Sequence, residues 1–184
     1  MATRGVFFGW WVTLSFAAMA FVSTGLRFAV GPFLKPMVHD LGIDRAAFSL
    51  VVAVSLLLYG AFQPFVGAAV DRLGARAVVL GGAFVLGGAL ALTGLATRLW
   101  HLYLVYALAG SVGLAATGQV VGTAVVSRWF TRRRGTALSI LGSASMAGIT
   151  LLVPLAMWGV LHLGWRATQM AFGAGVVVLL VPLA

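Results

Sequence analysis

Gly67-Ala68-Ala69-Val70-Asp71-Arg72-Leu73-Gly74-Ala75-Arg76 separates two stretches of about twenty residues with almost nothing ionised in them. A charged turn marked by glycine, set between two such stretches, is the watery end of a membrane hairpin: about 20 apolar residues carry a helix across the hydrocarbon layer. The rest of the chain is expected to be further hairpins arranged around this one.

Composition supports that expectation. Of 184 residues, 62% are hydrophobic and 8% are charged, and the mean hydropathy is +1.10. Soluble domains carry about 25% charged residues. Glutamate is absent, and the only acids are Asp40, Asp44 and Asp71, too few for a water-exposed surface. The net charge of +9 does not point to nucleic acid. The basic residues sit in short clusters beside apolar runs, as in membrane loops facing anionic lipid. With no cysteine there is no disulfide, thiol chemistry or thiolate metal site. Arg4 and the Ala18-Met19-Ala20 triplet resemble a cleavable signal, but the apolar run continues towards Leu34, too long for one.

Six spans are expected, at roughly 7–34, 46–70, 77–96, 101–126, 135–160 and 166–184. This is an all-α membrane fold of six transmembrane helices. Arg4, Arg72, Arg76, Arg128, Arg132, Arg133 and Arg134 fall on one face; Lys35, Arg45, Arg98 and Arg166 fall on the other. The excess predicts a multi-pass protein of the cell (inner) membrane with both termini in the cytoplasm. Trp10, Trp11 and Trp129 then anchor the inner interface, and Trp100, Trp158 and Trp165 the outer one. Pro36 is expected to end the first helix, Asp44 to cap the second, and Gly164 to close the fifth in the left-handed conformation. The Gly118–Gly122 pair and the Ala144–Gly148 pair allow close helix contact, because small residues let backbones approach.

The chemistry of the opening stretch is readable from its residues. Gly67 lies one turn before Asp71 on the same helix face, where another helix can come near. Asp71 has Arg72, Arg76 or Arg128 as candidate partners, and Gly74 is expected to turn Arg72 and Arg76 onto different faces. A carboxylate ringed by arginines at the bilayer edge makes a latch that closes in one conformation and opens in another.

The pattern Gly67-x-x-x-Asp71-Arg72-x-Gly74-x-Arg76 resembles the signature loop of the major facilitator superfamily, although Ala75 stands where a basic residue is usual. Gly9-Trp10-Trp11-Val12, the run Trp129-Phe130 before Arg132-Arg133-Arg134-Gly135, and Gly164-Trp165-Arg166 resemble its monocarboxylate-porter and oxalate/formate-antiporter branches. Tyr106, before Gly110, stands where the family's drug/proton antiporters carry an arginine. The resemblance implies an N-terminal six-helix bundle over residues 1–184, with the C-terminal six-helix half absent. It leaves open a fragment, a truncated product, or a half that pairs with another.

Arg27, inside the first span, is the leading site residue, since a charge at membrane depth is by default functional. Its guanidinium suits bidentate grip of a carboxylate, against the alternative of snorkelling to the headgroups. Tyr59, Gln63, Gln119, Ser143 and Ser145 are candidate cavity-lining groups, against the alternative that each serine bonds its own backbone. His39, His101 and His162 fall in loops or at interfaces. The expected function is secondary transport of a small organic anion, such as a monocarboxylate, by alternating access. A non-transporting half that assembles with or regulates a partner is the alternative. A remote one is an intramembrane enzyme, which needs a histidine at the depth of Ser111, Ser143 or Ser145. No metal or cofactor motif is present. The expected partners are the anion, the bilayer and the missing or partner half.

Overall fold

The computed structural model describes residues 8–129 and 133–183, with the side chains of Phe8 and Trp129 left aside. Arg4, Phe130 and Arg132 lie outside the described residues.

Helix α1 spans Phe8–Phe28. A 3-10 turn at Gly31–Phe33 follows, and then α2, Leu34–Leu41. Pro36 therefore does not end the first helical stretch, as was expected. It occupies the first turn of α2, where the amide hydrogen that proline lacks has no helical acceptor. The stop comes instead at Gly42, whose φ of +61° and ψ of +31° are left-handed. Asp44 caps α3 (Arg45–Leu73) as expected, accepting the Ala47 amide hydrogen at 2.6 Å.

One residue, Gly74, joins α3 to α4 (Ala75–Thr93). Its φ of +83° and ψ of +152° belong to a region that side-chain-bearing residues almost never occupy. A rod then runs from α5 (Leu99–His101) through a π-type stretch, Leu102–Gly110, into α6 (Ser111–Thr117). The His101 Nδ1 accepts the amide hydrogens of Thr97 and Arg98 at its start. Gly118 is extended, at φ −78° and ψ 177°, and separates α6 from α7 (Gln119–Trp129).

The last helix, α8, covers Arg134–Leu180 and breaks at Gly164, where φ is +80° and ψ is +160°. That φ is positive, as expected of Gly164, but the ψ is not that of the left-handed helix. Its 47 residues would measure about 70 Å if straight, over twice a bilayer's hydrocarbon thickness. The two limbs pack on different partners. Gly148 meets the backbone of Phe21 in α1, and Gly173 meets Gly87 and Ala91 in α4. Across the break, the Thr168 side chain lies 2.8 Å from where a Cβ on Gly159 would stand. Residues so spaced on a straight helix are about 13 Å apart, so the chain doubles back.

Among the described residues, five helical stretches are long and apolar enough to cross a membrane: Gly9–Leu41, Arg45–Leu73, Ala75–Thr93, Leu99–Arg128 and Arg134–Leu180. Six separate spans are thus not counted here: the residues assigned to the last two form one stretch, bent at Gly164. A single glycine suffices to redirect the chain at Leu161–Arg166, so no loop intervenes. Helix α4 lies at the centre, with Val79, Ala83 and Leu86 almost wholly enclosed. Helix α3 is the most open, exposing Leu57, Phe65 and Leu73.

Candidate functional site

Arg27 stands in the last turn of α1, where a cation is favoured by the helix carbonyls. Its guanidinium carbon lies 3.9 Å from the centroid of the Tyr59 ring on α3 and 6.0 Å from that of Phe28. This is a cation–π stack that holds the charge at one place without neutralising it. Among the described residues Arg27 has no ion pair: the ion pairs present are Arg128–Asp71 and Arg166–Asp40.

The break at Gly118 puts a second positive feature beside the first. The opening amides of a helix have no partner within it and carry partial positive charge, and α7 opens at Gln119. The Tyr59 hydroxyl lies 3.2 Å from where a Cβ on Gly118 would stand, so glycine there gives the ring its room. The Ser23 hydroxyl donates to Thr117 Oγ1 at 2.9 Å, and the Thr117 hydroxyl donates to the Gly113 carbonyl at 2.9 Å. The first bond ties α1 to the end of α6 just before the break, and the second, within α6, fixes the Thr117 hydroxyl as its acceptor.

Between them lies a cavity of about 170 Å3, bounded by Ser23, Thr24, Arg27 and Phe28 of α1, Tyr59 of α3, Leu114, Gly118 and Gln119 at the break, and Met146 of α8. Arg27, Tyr59 and Gln119, singled out from sequence, come together here. Gln63 does not border it; its side-chain oxygen is buried and has no hydrogen-bond partner among the described residues. Ser145 is buried and donates to the Leu141 carbonyl at 3.0 Å. Ser143 is exposed and outside the lining; Met146 takes the place on α8. Ser23 and Thr24 were missed, though Ser23 lies four residues before Arg27, the spacing that shares a helix face. Met146 carried no signal, since one methionine among many apolar residues is unremarkable.

At the far end of α3, Arg128 donates to Asp71 at 2.7 Å, with side chains 65% and 62% exposed. Of the three arginines proposed as partners, the structure pairs Asp71 with Arg128. Gly67 faces open space: nothing lies within 4 Å of a Cβ built there.

At the opposite end sits a cluster that sequence reasoning did not find. Trp165 is 4% exposed, which corrects its assignment as an interfacial anchor. Its indole donates to Asp40 at 2.9 Å. The Arg166 guanidinium stacks 4.4 Å from the Trp165 ring, lies 3.6 Å from Asp40 and donates to the carbonyls of Gly94 and Ala96. Trp11, Trp100 and Trp158 are exposed, as membrane anchors would be.

Known proteins resemble this chain along nearly all its length. A Bacillus subtilis protein described as an uncharacterized MFS-type transporter, YcxA, is 28% identical over 95% of the chain and 43% of its own length. Monocarboxylate transporter 11 of Mus musculus is 33% identical over 90% of the chain and 37% of its own length. Riboflavin transporter RibJ of Trypanosoma brucei brucei is 33% identical over 86% of the chain and 29% of its own length. The chain thus spans less than half the length of each of these relatives, which are transporters and not enzymes. The family model of the Major Facilitator Superfamily matches residues 16–184, and this chain, all helical among the described residues and with its apolar spans, belongs to that family of multi-pass membrane proteins.

Proposed function

We propose that the chain forms one bundle of a secondary transporter that moves a small organic anion by alternating access, the Arg27 cavity being its part of the binding site. One observation carries this: a guanidinium without a carboxylate partner shares a cavity with the start of a broken helix, two positive features facing one space. Discontinuous helices whose N-termini face an anionic group are how membrane carriers hold carboxylates at mid-depth. Phe28, Leu114 and Met146 give the same cavity an apolar wall, suited to the tail of a monocarboxylate. The similarity to monocarboxylate transporter 11 supports that substrate class.

In this proposal the turn at Gly164 divides α8 into a fifth and a sixth crossing, so that the bundle has six. The Asp71 end faces the cytoplasm of the cell (inner) membrane, as do both termini. A second six-helix bundle covers the open face of α3, where Gly67 leaves space for it to slide. Asp71, Arg72, Gly74, Arg76 and Arg128 form the conformational latch. Gln63, Ser143 and Ser145 bind substrate only in a conformation that turns them inward.

The test uses membrane vesicles from cells expressing the full native gene and radiolabelled monocarboxylates. Arg27→Ala abolishes saturable uptake while the protein still inserts, and Arg27→Lys restores part of it. Unchanged uptake by Arg27→Ala overturns the anion site.

A further inference from the structure

Gln169 is 3% exposed, and among the described residues its side-chain oxygen has no hydrogen-bond partner. A polar atom so placed is rare, because a buried acceptor left unpaired forfeits its bonds to water. Gln169 sits on the limb of α8 beyond Gly164 and borders a small cavity with Met37, Val51, Thr93, Leu102 and Tyr106. The space left for the centre of a water-sized sphere is about 10 Å3, on the order of the minimum that one water molecule needs.

We propose that a single water molecule occupies this cavity and donates a hydrogen bond to the Gln169 side-chain oxygen. The site is separate from the Arg27 cavity, with which it shares no lining residue. A buried water requires two or more polar partners, and Thr93 and Tyr106 carry hydroxyl groups. The Thr93 hydroxyl donates to the Ala89 carbonyl at 2.7 Å, so its oxygen is left to accept the second hydrogen of the water. A metal cation is the wrong occupant. These oxygens are neutral and few, and a bare charge in an otherwise apolar wall is far costlier to bury than a water. The water links the end of α4 to the second limb of α8, adding to the bonds that Arg166 makes to the Gly94 and Ala96 carbonyls, and the Tyr106 hydroxyl of the π-type stretch is the donor open to its oxygen. Tyr106, the residue that departs from the antiporter pattern, gains a place in the fold.

Two methionines make the test internal. Met37 and Met19 are each 2% exposed, but only Met37 borders the cavity. X-ray radiolysis of the purified full-length protein generates hydroxyl radicals from bound water, and these oxidise the side chains beside it. The proposal expects Met37 to be oxidised several-fold faster than Met19. It also expects Gln169→Leu and Gln169→Met each to bring Met37 down to the Met19 rate, while exposed Met146 is unchanged. Equal rates for the two methionines in the unaltered protein overturn it, with no variant needed. So does Met37 oxidation that persists in both variants, or stoichiometric sodium binding that both variants remove.

Discussion

Gly74 and Gly164 turn the chain in the same way. Their φ/ψ pairs are +83°/+152° and +80°/+160°, and each redirects a helix within one residue. What lies beside each turn differs. Near Gly74, Asp71 is held by one hydrogen bond from Arg128, with both side chains about two-thirds exposed. Beside Gly164, Asp40 takes the hydrogen of a buried indole, and Arg166 adds two backbone carbonyls to its contact with the carboxylate. Glycine sets the shape of a turn, while the bonds across it set how easily the two sides part. By that measure the Gly164 end is the closed one, and the Gly74 end is the one that the proposed latch would open.

The largest effect that tests this contrast is at Trp165. Trp165→Ala empties a buried site and leaves Asp40 and Arg166 without their central contact, at a cost of about 3–5 kcal/mol. Thermal unfolding of the purified protein measures it. Trp100, at 52% exposed, is the control, and Trp100→Ala costs much less. If the two variants unfold alike, the closed end is no more tightly made than the membrane surface.

The glycines come next. Gly74→Ala and Gly164→Ala each place a Cβ in a backbone region nearly reserved for glycine, at about 1–3 kcal/mol. Nothing lies within 4 Å of either added atom, so the cost is conformational strain alone and the two should agree. A large inequality in melting temperature would show that the flanking clusters, and not the glycines, dictate these turns.

Local chemistry was legible in the sequence and distant pairing was not. Asp44 signals its cap because the acceptor and the amide are three residues apart. Gly74 announces its turn by standing between apolar runs. Asp71 had three arginines within reason, and only folding selects Arg128, 57 positions away. Asp40 and Trp165 are 125 positions apart, and nothing in either neighbourhood anticipates the other. Pro36 misled because proline stops a helix interior but suits a first turn. Gly118 looked like half of a small-residue packing pair, and yet it breaks the helix. The cavity owes its shape to that break, which periodicity does not report when apolar residues continue on both sides. Arg27, by contrast, stood out as the one cation within a span.

The smallest effect is the most telling about the open end. An exposed ion pair contributes roughly 0.2–1 kcal/mol, because water solvates both charges nearly as well apart as together. A double-mutant cycle of Asp71→Asn and Arg128→Gln should give a coupling energy in that range. It should shrink further as salt is raised from low ionic strength towards about 1 M, where the screening length falls to about 3 Å. The corresponding cycle of Asp40→Asn and Arg166→Gln, at 47% and 39% exposed side chains, should respond less to salt, since partly buried pairs are screened less. The proposed latch must part in every cycle and is therefore worth little when closed, so a coupling energy well above 1 kcal/mol at Asp71 would mean that the pair is a fixed strut and would overturn its role as a latch.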